Sequence, residues 1–300
     1  MKKLPVTFAG TTDTTGYLFS FAKSLSAALR CSRFADFADD AVAASGFAFR
    51  MWVDGGSLCP SATSIWAFKK QKPWVENAGL VCDYVERLWG QDALEAERRE
   101  AAIAMIRRSI DDGVAAVAWD ISGSEWGLVV GYDDETETLA TLKINGREDS
   151  VPYAKLGQLD LPILSVLTVT GSVPKSPEQL VADTKRLAVG HLRGKEWCDN
   201  AKGLAAYDAL IGYIREKLTD EQGWNLQYYL GTYAALKWYA ARFFAKYGEA
   251  ELAVLYEDVY GAWKQAFDFS RAGKIDCAQI AAQLETAQAA ETRAAEEMER

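Results

Sequence analysis

Trp119-Asp120-Ile121-Ser122-Gly123-Ser124-Glu125-Trp126-Gly127-Leu128-Val129-Val130-Gly131-Tyr132-Asp133-Asp134 carries the clearest structural message in the chain. The run at 126–132 is apolar and of strand length, and a second such run precedes it at 114–119. Between them lies a polar loop with two carboxylates, Asp120 and Glu125, flanked by two tryptophans. Two apolar strands joined this way predict an antiparallel pair. The loop acids either face a cleft or are simply solvated.

Outward from this pair, the segments 138–144 and 151–153 flank Asn145-Gly146, a dipeptide suited to a tight hairpin turn. A strand is expected at 161–170. The segment 79–88 reads equally as strand or helix. Asp92-Ala93-Leu94-Glu95 has capping-box spacing and predicts a helix ending near Asp112-Gly113. Upstream, 47–53 reads as a strand before the Asp54-Gly55-Gly56 turn, and Pro60 can open a helix to about residue 68. Thr11-Thr12-Asp13-Thr14-Thr15-Gly16 is rich in capping residues and predicts a helix to about Arg30, with Leu18, Phe21, Leu25 and Leu29 on one face. A short helix is expected at 34–44. The expectation for 1–173 is therefore an α+β domain with an antiparallel sheet.

Val173-Pro174-Lys175-Ser176-Pro177 marks a break. Beyond it, Ser176-Pro177-Glu178-Gln179 is a capping box with proline at the first helical position. Further helices are expected at about 199–217, 222–246, 249–270 and 276–300, so 174–300 reads as an all-helical domain. The last helix is Ala- and Glu-rich with little apolar stripe. It is expected to be peripheral: solvated, frayed or packed on a partner, which makes it a candidate surface for homo-oligomer assembly.

Composition narrows the function. The 300 residues carry 33 Lys and Arg against 42 Asp and Glu, a net charge of −9. That balance disfavours a nucleic-acid backbone or an anionic membrane as partner. No apolar run reaches the roughly 18–20 residues of a membrane helix, and the start lacks a secretory h-region, so a cytoplasmic location is expected. The five cysteines form no CxxC motif, and His191 is the single histidine, which excludes a His-rich metal site. No Walker or Gly-x-Gly-x-x-Gly motif is present, and no metal or cofactor is expected.

Several side chains are candidates for binding. Asp13, Thr14 and Thr15 stand where a helix mouth is expected, either holding an anion or merely capping. Arg50 interrupts an apolar run beside Trp52, pointing to solvent or to a buried anion. In 224–244 aromatic residues fall all around the expected helix. Some must pack on neighbours, while Tyr229, Tyr233 and Arg242 can wall a cleft and stack on a flat ligand. Cys59 before Pro60 and His191 near Arg193 read as a small buried residue and a residue of the helix C-terminus or surface.

Gly127-Leu128-Val129-Val130-Gly131-Tyr132-Asp133-Asp134 resembles the strand motif of papain-like cysteine peptidases that process bacteriocin leaders. It is closer still to the N-terminal domain of the butirosin-biosynthesis protein H family. Ser45-Gly46-Phe47-Ala48-Phe49-Arg50, Cys59-Pro60-Ser61-Ala62 and Gly203-Leu204-Ala205-Ala206-Tyr207-Asp208 are similar to that family too, and the resemblance spans most of 10–265. It implies a papain-like fold for the first domain. The peptidases carry their histidine six residues before the Gly of Gly-Tyr-Asp, where this chain has Glu125. Their cysteine opens the first helix, where Thr14 and Thr15 are expected here, and the nearest cysteine is Cys31. A thiolate–imidazolium pair is thus missing from the expected places.

The resulting expectation is a non-catalytic small-molecule-binding protein, a carrier, sensor or sequestering protein on a degenerate papain-like scaffold, without peptidase activity. Its ligand, flat or anionic, would lie in the cleft between the two domains. Asp13, Thr14, Thr15, Arg50, Trp52, Asp120, Glu125, Trp126, Tyr229, Tyr233 and Arg242 would bind it. The alternative, implied by the resemblance, is an acyltransferase moving an acyl group from a carrier-protein thioester to an amine.

Overall fold

A computed structural model describes residues 1–64, 67–196, 198–272 and 275–300. The fold is α+β. In chain order the elements of the first half are β1 (Lys2–Lys3), α1 (Ser20–Arg30), α2 (Asp40–Ala44), β2 (Trp52–Val53), α3 (Gln71–Asn77), β3 (Leu80–Arg87), α4 (Glu95–Asp111), β4 (Ala116–Ala118), β5 (Gly127–Asp133), β6 (Thr138–Leu142), β7 (Glu148–Pro152) and β8 (Leu164–Ser172). There follow α5 (Pro177–Leu192), β9 (Ala201–Lys202), α6 (Ala205–Glu216), α7 (Gly223–Lys246), α8 (Ala250–Ser270) and α9 (Cys277–Met298).

The chain divides into two compact units. The first comprises Met1–Thr12, Ser20–Ala41 and Ala67–Lys175, the second Asp13–Phe19, Val42–Trp66 and Ser176–Arg300. The break expected at 173/174 lies two residues from the last crossing. The second unit also takes in two early segments that a linear boundary assigns to the first.

The first unit is built on an antiparallel sheet of order β3-β8-β4-β5-β6-β7, with β1 added against β5. The quoted Trp119 loop joins β4 to β5, which pair as Ala116↔Val129 and Ala118↔Gly127. Asn145-Gly146 turns β6 into β7, with Gly146 at φ +81°. The ambiguous segment 79–88 is a strand, pairing Leu80↔Ser172 through Arg87↔Leu164. Ala102, Ile106 and Ile110 of α4 pack on Ala116, Ala118, Val129 and Val166. Each Ile or Val among them contributes about 1.5–3 kcal/mol when fully buried. The expected capping box at Asp92 is not formed. Asp92–Leu94 makes a 3-10 turn, and the Glu95 carboxylate is taken instead by Arg99 Nη2 and Gln158 Nε2, both at 2.6 Å.

The second unit is mostly helical, with a two-stranded sheet of β2 and β9 paired as Trp52↔Lys202 and Val53↔Ala201. Ser176 caps α5 as expected, its Oγ accepting the Gln179 N–H at 3.2 Å. The strand expected at 47–53 shrinks to Trp52–Val53, because Gly46 at φ +80° starts a turn whose carbonyl accepts the Phe49 and Arg50 N–H groups. The helix expected from Pro60 to about 68 is a 3-10 turn over Pro60–Thr63, and residues 65 and 66 lie outside the described residues. Helix α7 is buried without a break from 229 to 237, as a helix apolar on all sides must be. Gly231 is needed there: a Cβ would lie 2.8 Å from the Tyr17 ring and 2.9 Å from Phe267.

Helix α9 is not peripheral. It buries Ile280, Ala281, Leu284, Ala287, Glu291, Ala294, Ala295 and Met298, with α5, α6 and α8 as neighbours. Alanines make a faint apolar stripe in sequence but allow close helix approach, which explains the difference. Among the described residues no helix is long and apolar enough to cross a membrane.

Candidate functional site

Eight of the eleven candidate residues belong to the second unit, and of these Trp52 and Tyr233 lie nearest the Arg50 guanidinium. The side chain is 3% exposed. Its Cζ lies 4.4 Å from the Trp52 ring centre, 4.8 Å from Phe19 and 5.7 Å from Phe47, within cation–π range of all three. Nη2 donates to the Thr63 carbonyl at 2.7 Å, whereas Nη1 is buried and has no hydrogen-bond partner in the protein. Burial pulls the guanidinium pKa down to about 10, opposed by its electrostatic interactions with Tyr233, Glu196 and Cys198. The group therefore stays cationic at neutral pH, and a buried cation with an idle donor favours a complementary anion.

Two tyrosines of α7 fix the backbone on which this site rests. Tyr233 OH accepts the Trp52 N–H at 2.8 Å and donates to the Trp52 carbonyl at 2.5 Å. Tyr229 OH accepts the Asp54 N–H at 3.2 Å and donates to the Cys59 carbonyl at 2.7 Å. Burial raises both phenol pKa values, so both stay neutral donors. Their hydroxyls are committed to backbone groups. The expectation that they wall a cleft gives way to a clamp on β2 and the following loop.

Asp13, Thr14 and Thr15 do not open a helix. Asp13 Oδ1 accepts N–H groups from Gly16 at 2.8 Å and Leu18 at 3.1 Å, folding the segment into a turn, so α1 starts only at Ser20. Thr15 Oγ1 donates to the Gly231 carbonyl of α7 at 2.8 Å, tying the turn to the helix that carries Tyr229 and Tyr233. Thr14 Oγ1 is buried without a hydrogen bond. Arg242 stands apart on α7. Its half-exposed side chain pairs with Glu257 and lies 5.8 Å from the Trp238 ring centre.

Asp120, Glu125 and Trp126 belong to the first unit. Glu125 Oε2 accepts a hydrogen bond from Ser20 Oγ, at the first residue of α1, and that oxygen in turn accepts the Trp126 N–H at 3.2 Å. Asp120 is buried, and that burial raises its pKa. Its oxygens accept the Ser124 N–H at 2.6 Å and the Leu161 N–H at 2.7 Å. It organises the loop in which it and Ser124 hold the left-handed conformation, at φ +65° and +54°. The Trp126 ring packs against Phe21, Phe68 and Trp119 at 4.9, 4.9 and 5.2 Å between ring centres.

Sequence reasoning missed four participants. Ser20 was hidden because the helix start was placed too early. His191, expected at the helix C-terminus or the surface, does lie in the last turn of α5 but is 3% exposed and paired through Nδ1 with Glu196, five residues on. Burial lowers its pKa, against the pull of that carboxylate. Lys237 and Glu291 form an ion pair that is wholly buried. Only its placement within a run of apolar and aromatic residues marks Lys237 in the sequence. Cys59 is exposed rather than buried. Among the described residues no group of three or more His, Cys, Asp or Glu side chains is placed to hold a metal ion.

No protein-family model matches this chain, and no curated protein matches it either.

Proposed function

We propose that the protein binds a small planar carboxylate and acts as a carrier, sensor or sequestering protein rather than as a peptidase. The observation that carries this reading is the idle Nη1 of the buried Arg50, framed by three aromatic rings. A carboxylate satisfies a guanidinium edge, and an attached flat ring suits the surrounding faces. The carbonyl of Thr63, at the end of the Pro60–Thr63 turn, holds the other terminal nitrogen, Nη2, and so orients the idle one. The absence of the Cys and His expected on a papain-like scaffold agrees with a binding role. The test is thermal unfolding of the full chain with benzoate and phenylacetate, set beside Arg50→Lys, which keeps the charge but loses the planar fork. Stabilisation of the wild type and none of the variant is expected. No stabilisation, or the same in both proteins, contradicts the reading.

Acyl transfer is the second reading, favoured by the Ser20–Glu125 contact. A carboxylate at that place can accept the proton of an amine as its nitrogen attacks a thioester carbonyl, and return that proton to the sulfur as the carbon–sulfur bond breaks, so that the thiol leaves and the carboxylate is restored. Incubation with an acyl-loaded carrier protein and an amine, followed by mass analysis for the amide, tests it. Product that Glu125→Gln abolishes supports it, and its absence rules it out.

A further inference from the structure

The first unit holds a feature that the Arg50 reading does not use. Gln71 is fully buried at the start of α3, and neither its Oε1 nor its Nε2 has a hydrogen-bond partner in the protein. A buried primary amide idle at both ends carries the full desolvation cost of its donor and its acceptor. Folds keep such a side chain rarely, and a reason is expected where they do.

Its surroundings suggest what the reason is. Phe68, Gln71 and Val75 are buried at helical spacing, so Gln71 shares one inward face with Phe68. The Phe68 ring lies 5.0 Å from Trp119 and 4.9 Å from Trp126, centre to centre, and those two indoles are 5.2 Å apart. Trp126 Nε1 is a second buried donor without a partner. One idle donor–acceptor edge, one idle indole N–H and three mutually packed aromatic rings thus occur in the same part of one unit. No ionised side chain is needed to complete the set.

We infer that this region is a second ligand site, for an uncharged planar heterocycle carrying a lactam or imide edge. A ring N–H of the ligand donates to Gln71 Oε1, and the adjacent ring carbonyl accepts from Gln71 Nε2. This is the paired contact by which an amide side chain reads a heterocycle. The ring face lies on one indole with the other, which is set edge-on to the first, at its rim, and such stacking adds affinity without demanding one particular ring. A carboxylate is the wrong partner here, because it has no donor for Oε1. The site therefore does not depend on the Arg50 reading.

Saturation-transfer NMR on the full chain with uracil as probe tests the inference. 1,3-Dimethyluracil serves as a control that keeps the ring and removes the N–H edge. Uracil binding at millimolar concentration is expected, with about tenfold or greater weakening for the dimethyl compound and for Gln71→Leu. Gln71→Leu is also expected to unfold at or above the wild-type temperature, since it replaces an unpaired buried amide by an apolar side chain of similar size. Failure of uracil to bind overturns the inference. So does equal binding of the two compounds, or binding that survives Gln71→Leu. A marked loss of stability in Gln71→Leu overturns it as well, since the amide would then be engaged within the fold through bound water.

Discussion

Glu291 Oε1 accepts a hydrogen bond from Lys237 Nζ at 2.5 Å, and neither side chain reaches solvent. The other oxygen, Oε2, accepts from Tyr207 OH at 2.7 Å, and that hydroxyl accepts from Trp263 Nε1 at 2.8 Å. One residue from each of α6, α7, α8 and α9 therefore joins a single hydrogen-bonded chain, with Tyr207 and Lys237 on the Glu291 carboxylate and Trp263 on the Tyr207 hydroxyl. Apolar packing alone leaves the rotation and register of Ala-rich α9 loosely specified, whereas a satisfied polar contact fixes both.

Removing the charge at this junction should be severe. Glu291→Gln leaves Lys237 buried without a counter-charge, and a loss of about 3–5 kcal/mol is expected by urea unfolding. The double variant Lys237→Met with Glu291→Leu should recover most of that loss. A small effect of Glu291→Gln would show that Lys237 is neutral in the fold. Burial does push its pKa down, against the pull of the carboxylate.

His191 gives the fold a pH dependence of known sign. Burial holds its pKa below the ordinary 6.5, and the Arg50 and Lys237 charges act in the same direction, against Glu196. The unfolded chain takes up the proton first as pH falls. Stability should therefore decrease as pH drops through the ordinary value, by at most about 1.4 kcal/mol per pH unit from this group. Unfolding curves across this range should be flatter for His191→Gln. An unchanged slope means that the imidazole titrates normally in the fold.

Gly46 sits at φ +80°, and a Cβ there would lie 2.5 Å from His191 Nε2 and 2.9 Å from Leu187 Cδ2. Gly46→Ala combines left-handed strain with overpacking, so roughly 2–4 kcal/mol of stability should be lost. Because the turn beginning at Gly46 also leads to Arg50, benzoate binding should weaken in the same variant. Wild-type behaviour in both measurements would argue against this packing.

Tyr233→Phe removes the hydroxyl that pairs with both backbone groups of Trp52. A destabilisation of about 1–3 kcal/mol is expected, together with weaker carboxylate binding, since Trp52 provides the ring nearest Arg50. Loss of stability with intact binding would separate Trp52 from the ligand.

Local signals in the sequence carried far. The Asn145-Gly146 turn, the Ser176 cap with Pro177, the β4–β5 pair and the lengths of α7 and α8 all rest on short-range chemistry, and the structure contains them. Contacts between distant segments were not legible. Glu291 reads as one more acid on a polar helix because Lys237 lies 54 residues away. The turn at Asp13 resembles a helix start because the same residue types serve both, and only the anchor of Thr15 on Gly231 distinguishes them. The run 47–53 looks like one strand, but only Trp52 and Val53 form it, because the left-handed Gly46 that turns the chain before Arg50 is held against His191 from α5. Glu125 stood out by its place in the loop, but its partner Ser20 depends on where α1 begins.

Native mass spectrometry of the wild type and of Arg50→Lys, each incubated with benzoate, addresses the carboxylate site most directly. A benzoate adduct that survives on the wild type under native conditions, is released on denaturation and is missing from Arg50→Lys is the predicted result. A wild type without adduct, or equal adducts on both proteins, would contradict a carboxylate site at Arg50.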